Sequence, residues 1–177
     1  MKAKRMRALA VSLMFGGALY GCAALDSPMT ATEFRKGVKD SSMGVVETFD
    51  AKRPYPQVAE TLRKKANECL AVTVVSEGNV YQGNMMVKER SVQIYKPTIN
   101  VTKDATELSL QVGNGKMNPV QKHPKDGYYM LVADATPAGR GTRVTIYRGK
   151  WGKGKDVDDA IRGWANGERL ACPDLNS

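Results

Sequence analysis

The chain has 177 residues, with 27 lysines and arginines against 18 aspartates and glutamates, for a formal charge of +9 with its single histidine neutral. Four of the positive charges, Lys2, Lys4, Arg5 and Arg7, lie in the first seven residues, so everything after them carries a net +5. That length suits one domain rather than two and is enough to bury a sizeable core. A modest basic excess fits either anionic partners, such as lipid head groups or wall polymers, or ordinary solubility.

Met1 to Arg7 is basic with no acidic residue, and an apolar, small-residue stretch follows from Ala8 to Tyr20. These are the first two regions of a secretory signal peptide. The stretch is shorter than the roughly 20 residues a helix needs to span a bilayer, and no later stretch is long enough. Residues 1–21 are therefore set apart from the fold, and a signal that exports the chain excludes nucleic acid as a partner.

The signal ends in Leu19-Tyr20-Gly21-Cys22, a cysteine directly after a small residue with an aliphatic residue three positions before it. This resembles the lipobox of bacterial lipoproteins. The resemblance implies a diacylglyceryl group on the Cys22 thiol, cleavage just before it and acylation of the new amino terminus. Each buried methylene contributes about 0.8 kcal/mol, so two or more chains hold firmly where one holds marginally. In lipoproteins of diderm bacteria an aspartate after the cysteine favours retention in the inner membrane. Ala23 stands there instead, which implies the outer membrane, facing the periplasm. The alternative is an ordinary secretory signal cut near Ala23 or Ala24, with Cys22 lost.

With Cys22 assigned to lipid, Cys69 and Cys172 remain as an even pair in a compartment where disulfides form and persist. They are expected to be bonded, the alternative being two separately buried thiols acting as small apolar fillers. No C-x-x-C occurs, and His123 lies far from both cysteines in sequence, so no metal site and no cofactor are expected.

Residues 22–44 are rich in Ala, Ser, Thr, Asp, Pro and Gly and read as a flexible tether, with at most one helical turn at Thr32-Glu33-Phe34-Arg35. Residues 45–177 then form the domain. Val45 to Phe49 has strand composition, and the prolines of Arg53-Pro54-Tyr55-Pro56 stop it and open a helix. From residue 57 to 70, Val58, Leu62, Ala66 and Cys69 recur at helical spacing, opposite a solvated face with Glu60, Arg63 and Lys64. Residues 71–75 read as a strand ended by a turn at Glu77-Gly78-Asn79. Val87, residues 92–95 and residues 98–102 read as further strand segments. Residues 107–112 alternate polar and apolar, which predicts one buried and one wet face. Residues 116–127 read as a basic surface loop, and 128–136 with 142–148 as a hairpin. Asp156 is the expected N-cap of a last helix, with Asp158 and Asp159 suited to the positive end of its dipole. Val157, Ala160, Ile161 and Trp164 line one face, and Gly167 ends it.

The expected fold is α+β, a two-layer sandwich with an antiparallel sheet of five to six strands and two helices on one face. Its element order, together with the lipobox, resembles BamC-like helix-grip envelope lipoproteins.

No catalytic constellation emerges. His123 sits in a Lys-His-Pro-Lys loop, no Gly-x-Ser-x-Gly elbow occurs, and no carboxylate couple stands apart from helix capping. The segment from Arg148 to Lys155 carries three glycines, three lysines and Trp151 into a helix N-terminus. Lys150, Trp151, Lys153 and Lys155 are thus candidate anion or partner contacts, the competing reading being a flexible connection with Trp151 packed on the core. The expected function is non-catalytic: a membrane-anchored envelope lipoprotein that binds a protein partner or supports an envelope complex. A carrier or sensor of a small apolar or anionic ligand is the alternative, favoured by a wide gap between helix and sheet and disfavoured by a tight core.

Overall fold

The computed structural model describes residues 27–83, 85–114 and 123–176. The signal, Cys22 and most of the loop expected at 116–127 lie outside the described residues. The elements run α1 (Ala31–Asp40), β1 (Gly44–Ala51), α2 (Tyr55–Cys69), β2 (Thr73–Gln82), β3 (Met85–Val101), β4 (Thr106–Asn114), β5 (Tyr128–Ala138), β6 (Gly141–Gly149) and α3 (Gly154–Asn166). The six strands form one antiparallel sheet in the order β1-β6-β5-β4-β3-β2, an α+β fold with three helices.

α1 corrects the expected tether over residues 31–40. Thr30 and Glu33 form a reciprocal capping box, which satisfies backbone N–H groups that the first turn leaves without partners. Only Phe34 and Val38 of this helix are buried, four residues apart, and so short an apolar stripe gives little periodicity to read. Its stability comes from tertiary contact with Val132 and Tyr147. The turn out of α1 is tight: a Cβ on Gly44 would lie 1.8 Å from the Val38 carbonyl oxygen, so only glycine fits there.

α2 buries Val58, Leu62, Ala66 and Cys69 as its spacing predicts, with Pro54 at the N-cap and Pro56 in the first turn. The turn expected at Glu77-Gly78-Asn79 is corrected. β2 runs straight through it to Gln82, and the chain reverses at Gly83 (φ 63°). The separate segments expected at Val87, 92–95 and 98–102 are one 17-residue strand, β3. Pro97 sits within it without harm, because β2 pairing ends at Thr73 opposite Ile94. The missing proline donor therefore faces a side of β3 where no β2 residue is paired.

The wet face expected on β4 is also corrected. Leu108 and Leu110 are fully buried, but so, nearly, are Ser109 and Gln111. Ser109 lies opposite Val132 of the α1 cluster, and Gln111 donates to the Gly127 carbonyl at 3.0 Å. The main core joins Val58, Leu62 and Ala66 of α2, Val157, Ile161 and Trp164 of α3, and Leu108, Leu110, Leu131, Val144 and Ile146 of the sheet. Val132 and Tyr147 alternate along β5 and β6 with members of that core. The N-cap of α3 is Lys153 rather than Asp156, with no side-chain cap, and the helix ends on Gly167 (φ 85°). Its C-terminus gains a further partner from the Arg53 guanidinium, which donates to the Trp164 carbonyl at 3.0 Å.

Candidate interaction surface

The cysteine pair forms a disulfide. Cys69 at the end of α2 and Cys172 beyond α3 are bonded with Cα atoms 5.1 Å apart, closing 103 positions of chain. This fastens the C-terminal segment, whose Leu175 is buried in the main core, to the end of α2.

The structure divides the segment from Arg148 to Lys155. Arg148 points inward, with its side chain 7 % exposed. It donates to Asp158 at 2.8 Å, to Glu47 at 2.6 Å and to its neighbour's carbonyl, Gly149 O, at 3.1 Å. Arg162 donates to the other Glu47 oxygen at 2.7 Å and lies 4.4 Å from the Phe49 ring centroid. Asp158, expected at the helix dipole, is instead buried within this network. Burial pushes its carboxyl up from the ordinary value, while the Arg148 hydrogen bond opposes that rise.

Two of the candidate contact lysines are engaged by neighbours. Lys155 pairs with Asp159 at 2.7 Å, and Lys153 lies 3.8 Å from Asp156 and donates to the Asp174 carbonyl at 3.2 Å. Their charges are largely answered by α3 and the C-terminal segment, which weakens the anion-cradle reading. Lys150 and Trp151 are brought together at the surface, the ammonium 5.5 Å from the indole centroid. Trp151 is 71 % exposed, which corrects the reading that packs it on the core. His123 contacts the Pro124 carbonyl at 3.0 Å and lies edge-on to Tyr128. Among the described residues no cluster of His, Cys, Asp and Glu could hold a metal, and no helix is long and apolar enough to cross a membrane.

The principal surface feature was missed in the sequence. Among the described residues β3 pairs with β4 from Gln93 onward, whereas β2 and β3 stay paired from Thr73–Ile94 out to Gln82–Met85. Among the described residues, 75–82 and 85–92 thus form a two-stranded ribbon beyond the other described strands, about 25 Å long at roughly 3.3 Å per residue. Tyr81 (73 % exposed) lies directly opposite Met86 (59 %), so both share one face, and Met85 (70 %) and Val87 lie on the other. Arg90 opposite Glu77 continues the first face. A ribbon with apolar side chains on both faces and, among the described residues, no third strand buries little of its own surface, and its tip is where a second surface gains most by contact. The available signal was the run Met85-Met86-Val87 bordered by Gly83, obscured by the equally turn-like Gly78-Asn79 upstream.

A third polar cluster lies beneath α1. Arg35 donates to both Asp134 and Glu107, which face each other across β4 and β5, and its guanidinium is 5.9 Å from the Tyr147 ring centroid. Burial alone would lower its pKa, but the two carboxylates outweigh this and hold it above its usual value. This cluster orients α1 on the sheet, with the guanidinium 17 % exposed between two carboxylates that are about a third exposed.

No family model matches the chain, and no curated protein matches it. Among solved structures it is similar to Ara h 8.0201, at TM-score 0.37 and 10 % identity over 70 % of this chain and 95 % of that one. It is also similar to protein Ms6760 from Mycobacterium smegmatis, at TM-score 0.32 and 12 % identity over 71 % and 87 %. A third similar structure is protein Mll3558 from Rhizobium loti, at TM-score 0.27 and 12 % identity over 68 % and 90 %. Likeness this slight bears on neither the function nor the details of the fold.

Proposed function

We propose that the protein is a non-catalytic lipoprotein of the bacterial envelope, held on the outer membrane by lipid on Cys22, facing the periplasm, and binding a protein partner through the β2–β3 ribbon. The observation that carries the partner reading is the ribbon itself, with Tyr81, Met85 and Met86 exposed on a projection beyond the other described strands. Tyrosine and methionine are enriched where proteins bind one another, because they supply large, adaptable contact area. β2 is also an edge strand, with backbone groups disposed for strand addition.

In this reading α2 and α3 lie together on one face of the sheet with α1 across from them, the helix-grip-like arrangement expected of the element order. A ligand carrier would need room between helices and sheet. Leu62, Trp164, Leu108, Leu131 and Ile146, each 0–1 % exposed, occupy that space, which supports partner binding over ligand carriage.

Photocrosslinking in intact envelopes tests the proposal. A photoreactive residue at Tyr81 or Met86 is expected to yield one discrete adduct, and the same residue at Lys64 on the solvated face of α2 none. Adducts absent from the ribbon, or equally abundant at Lys64, would refute it.

A further inference from the structure

We infer that the surface formed by the start of α1, the α1–β1 turn and the β6–α3 loop lies against the anionic bilayer surface, with Trp151 and Met43 at the interface. The inference deepens the reading above and rests on lipid attachment at Cys22.

Three independent observations converge on this face. The first is chain length. Cys22 precedes Ser27 by five residues, and a chain of five residues spans at most about 18 Å at roughly 3.6 Å per residue. An anchor at Cys22 therefore keeps Ser27 close to the head groups, and whatever surrounds Ser27 stays with it.

The second is what surrounds Ser27. It opens a shallow groove of about 460 Å³ lined by Pro28, Phe34, Val38, Met43 and Gly149. The Lys150 N–H donates to the Met43 carbonyl at 2.9 Å, so the β6–α3 loop is fixed to the α1–β1 turn. Trp151 comes directly after, 71 % exposed, and Met29 and Met43 are 45 % and 51 % exposed on the same side. Indole side chains settle at the head-group level of bilayers, where one end is apolar and the other wet.

The third is charge. Lys36 lines the adjoining groove at Ser27 together with the acidic Glu33 and Asp40. Lys39 is exposed on the next turn of α1 with its ammonium 5.4 Å from the Tyr147 ring centroid, and Lys150 is exposed in the loop tied to Met43. Glu33, also nearby, is turned back onto the Met29 and Thr30 N–H groups. Lysines close to an anionic leaflet are attracted within about a Debye length, roughly 8 Å at physiological salt. The β2–β3 ribbon belongs to the opposite end of the strand order from β1 and β6. Docking on the bilayer would thus leave it exposed to the compartment.

The protein carries its own probe, since its two tryptophans are Trp151, exposed, and Trp164, fully buried. The full-length mature protein, purified from membranes, has its intact mass measured and is then placed in vesicles of phosphatidylethanolamine and phosphatidylglycerol with brominated acyl chains. Wild type is expected to show a blue shift and loss of Trp151 emission, partly reversed by high salt. Trp151→Phe is expected to show neither, because Trp164 is out of reach of the quencher. Replacing Lys36, Lys39 and Lys150 by Glu is expected to restore the emission while acylation is unchanged. An acylated protein whose Trp151 emission is unchanged by brominated lipid would overturn the docking and leave the anchor standing. A mass lacking acyl groups would overturn the anchor, and the docking with it.

Discussion

Removing Arg148 should destabilise the domain far more than removing a surface arginine, and removing Asp158 with it should return part of the loss. Arg148 lies on the core side of β6, opposite Leu131, with its side chain 7 % exposed, and Asp158 is 2 % exposed. In Arg148→Met, Asp158 loses its 2.8 Å bond and keeps only Arg162, 3.6 Å from its other oxygen. A buried carboxylate stripped of its main partner costs about 3–5 kcal/mol. In Asp158→Leu, Arg148 keeps Glu47 at 2.6 Å and the Gly149 carbonyl, so the loss is smaller, about 1.5–3 kcal/mol, the range for a hydrogen bond to a charged group. The double variant leaves neither charge stranded, and a coupling energy on the order of 2 kcal/mol is expected. Equilibrium urea unfolding of the oxidised protein reads all three. At a slope of about 2 kcal/mol per molar urea, a 4 kcal/mol loss lowers the midpoint by about 2 M with the slope unchanged. An Arg148→Met loss below about 1 kcal/mol, or a double variant that equals the sum of the singles, would refute the reasoning.

Replacing Cys69 and Cys172 together by serine is expected to cost about 4.7 kcal/mol in the chain-entropy account of so long a loop, read as a lower urea midpoint than the oxidised wild type; a loss under 1 kcal/mol would contradict it. Trp164→Ala should cost about 3–5 kcal/mol by opening a core cavity, whereas Trp151→Ala should stay within about 0.5 kcal/mol, and thermal melts of the two variants check the contrast. Burial raises the Tyr95 and Tyr129 hydroxyls above the ordinary 10.0. Their contribution to stability is therefore complete below pH 10 and is lost as pH rises through the folded values. Phenolate absorbance against pH should show two groups ionising late, and unfolding should accompany or precede them; ordinary titration of every tyrosine would contradict this.

Elements whose period runs over several turns or along a covered strand were legible from residue order alone. Val58, Leu62, Ala66 and Cys69 place α2 and its buried face, Val157, Ile161 and Trp164 do the same for α3, and Gly167 marks its end. The even cysteine pair and the hairpin of β5 and β6 were legible for the same reason, that the chemistry needed is local or is counted rather than folded. Tertiary contact decided the rest. α1 has two buried side chains and stands only because Val132 and Tyr147 meet them. Gly78-Asn79 and Gly83-Asn84 are equally good turn signals, and the pairing of β2 along β3 decides between them. Arg148 and Asp158 read as a loop cation and a dipole residue until β6 and α3 pack and bury them together. Trp151 reads as a surface contact or as a core residue until the β6–α3 loop is seen to carry it outward, because an apolar ring in a glycine-rich loop takes its environment from where that loop is held.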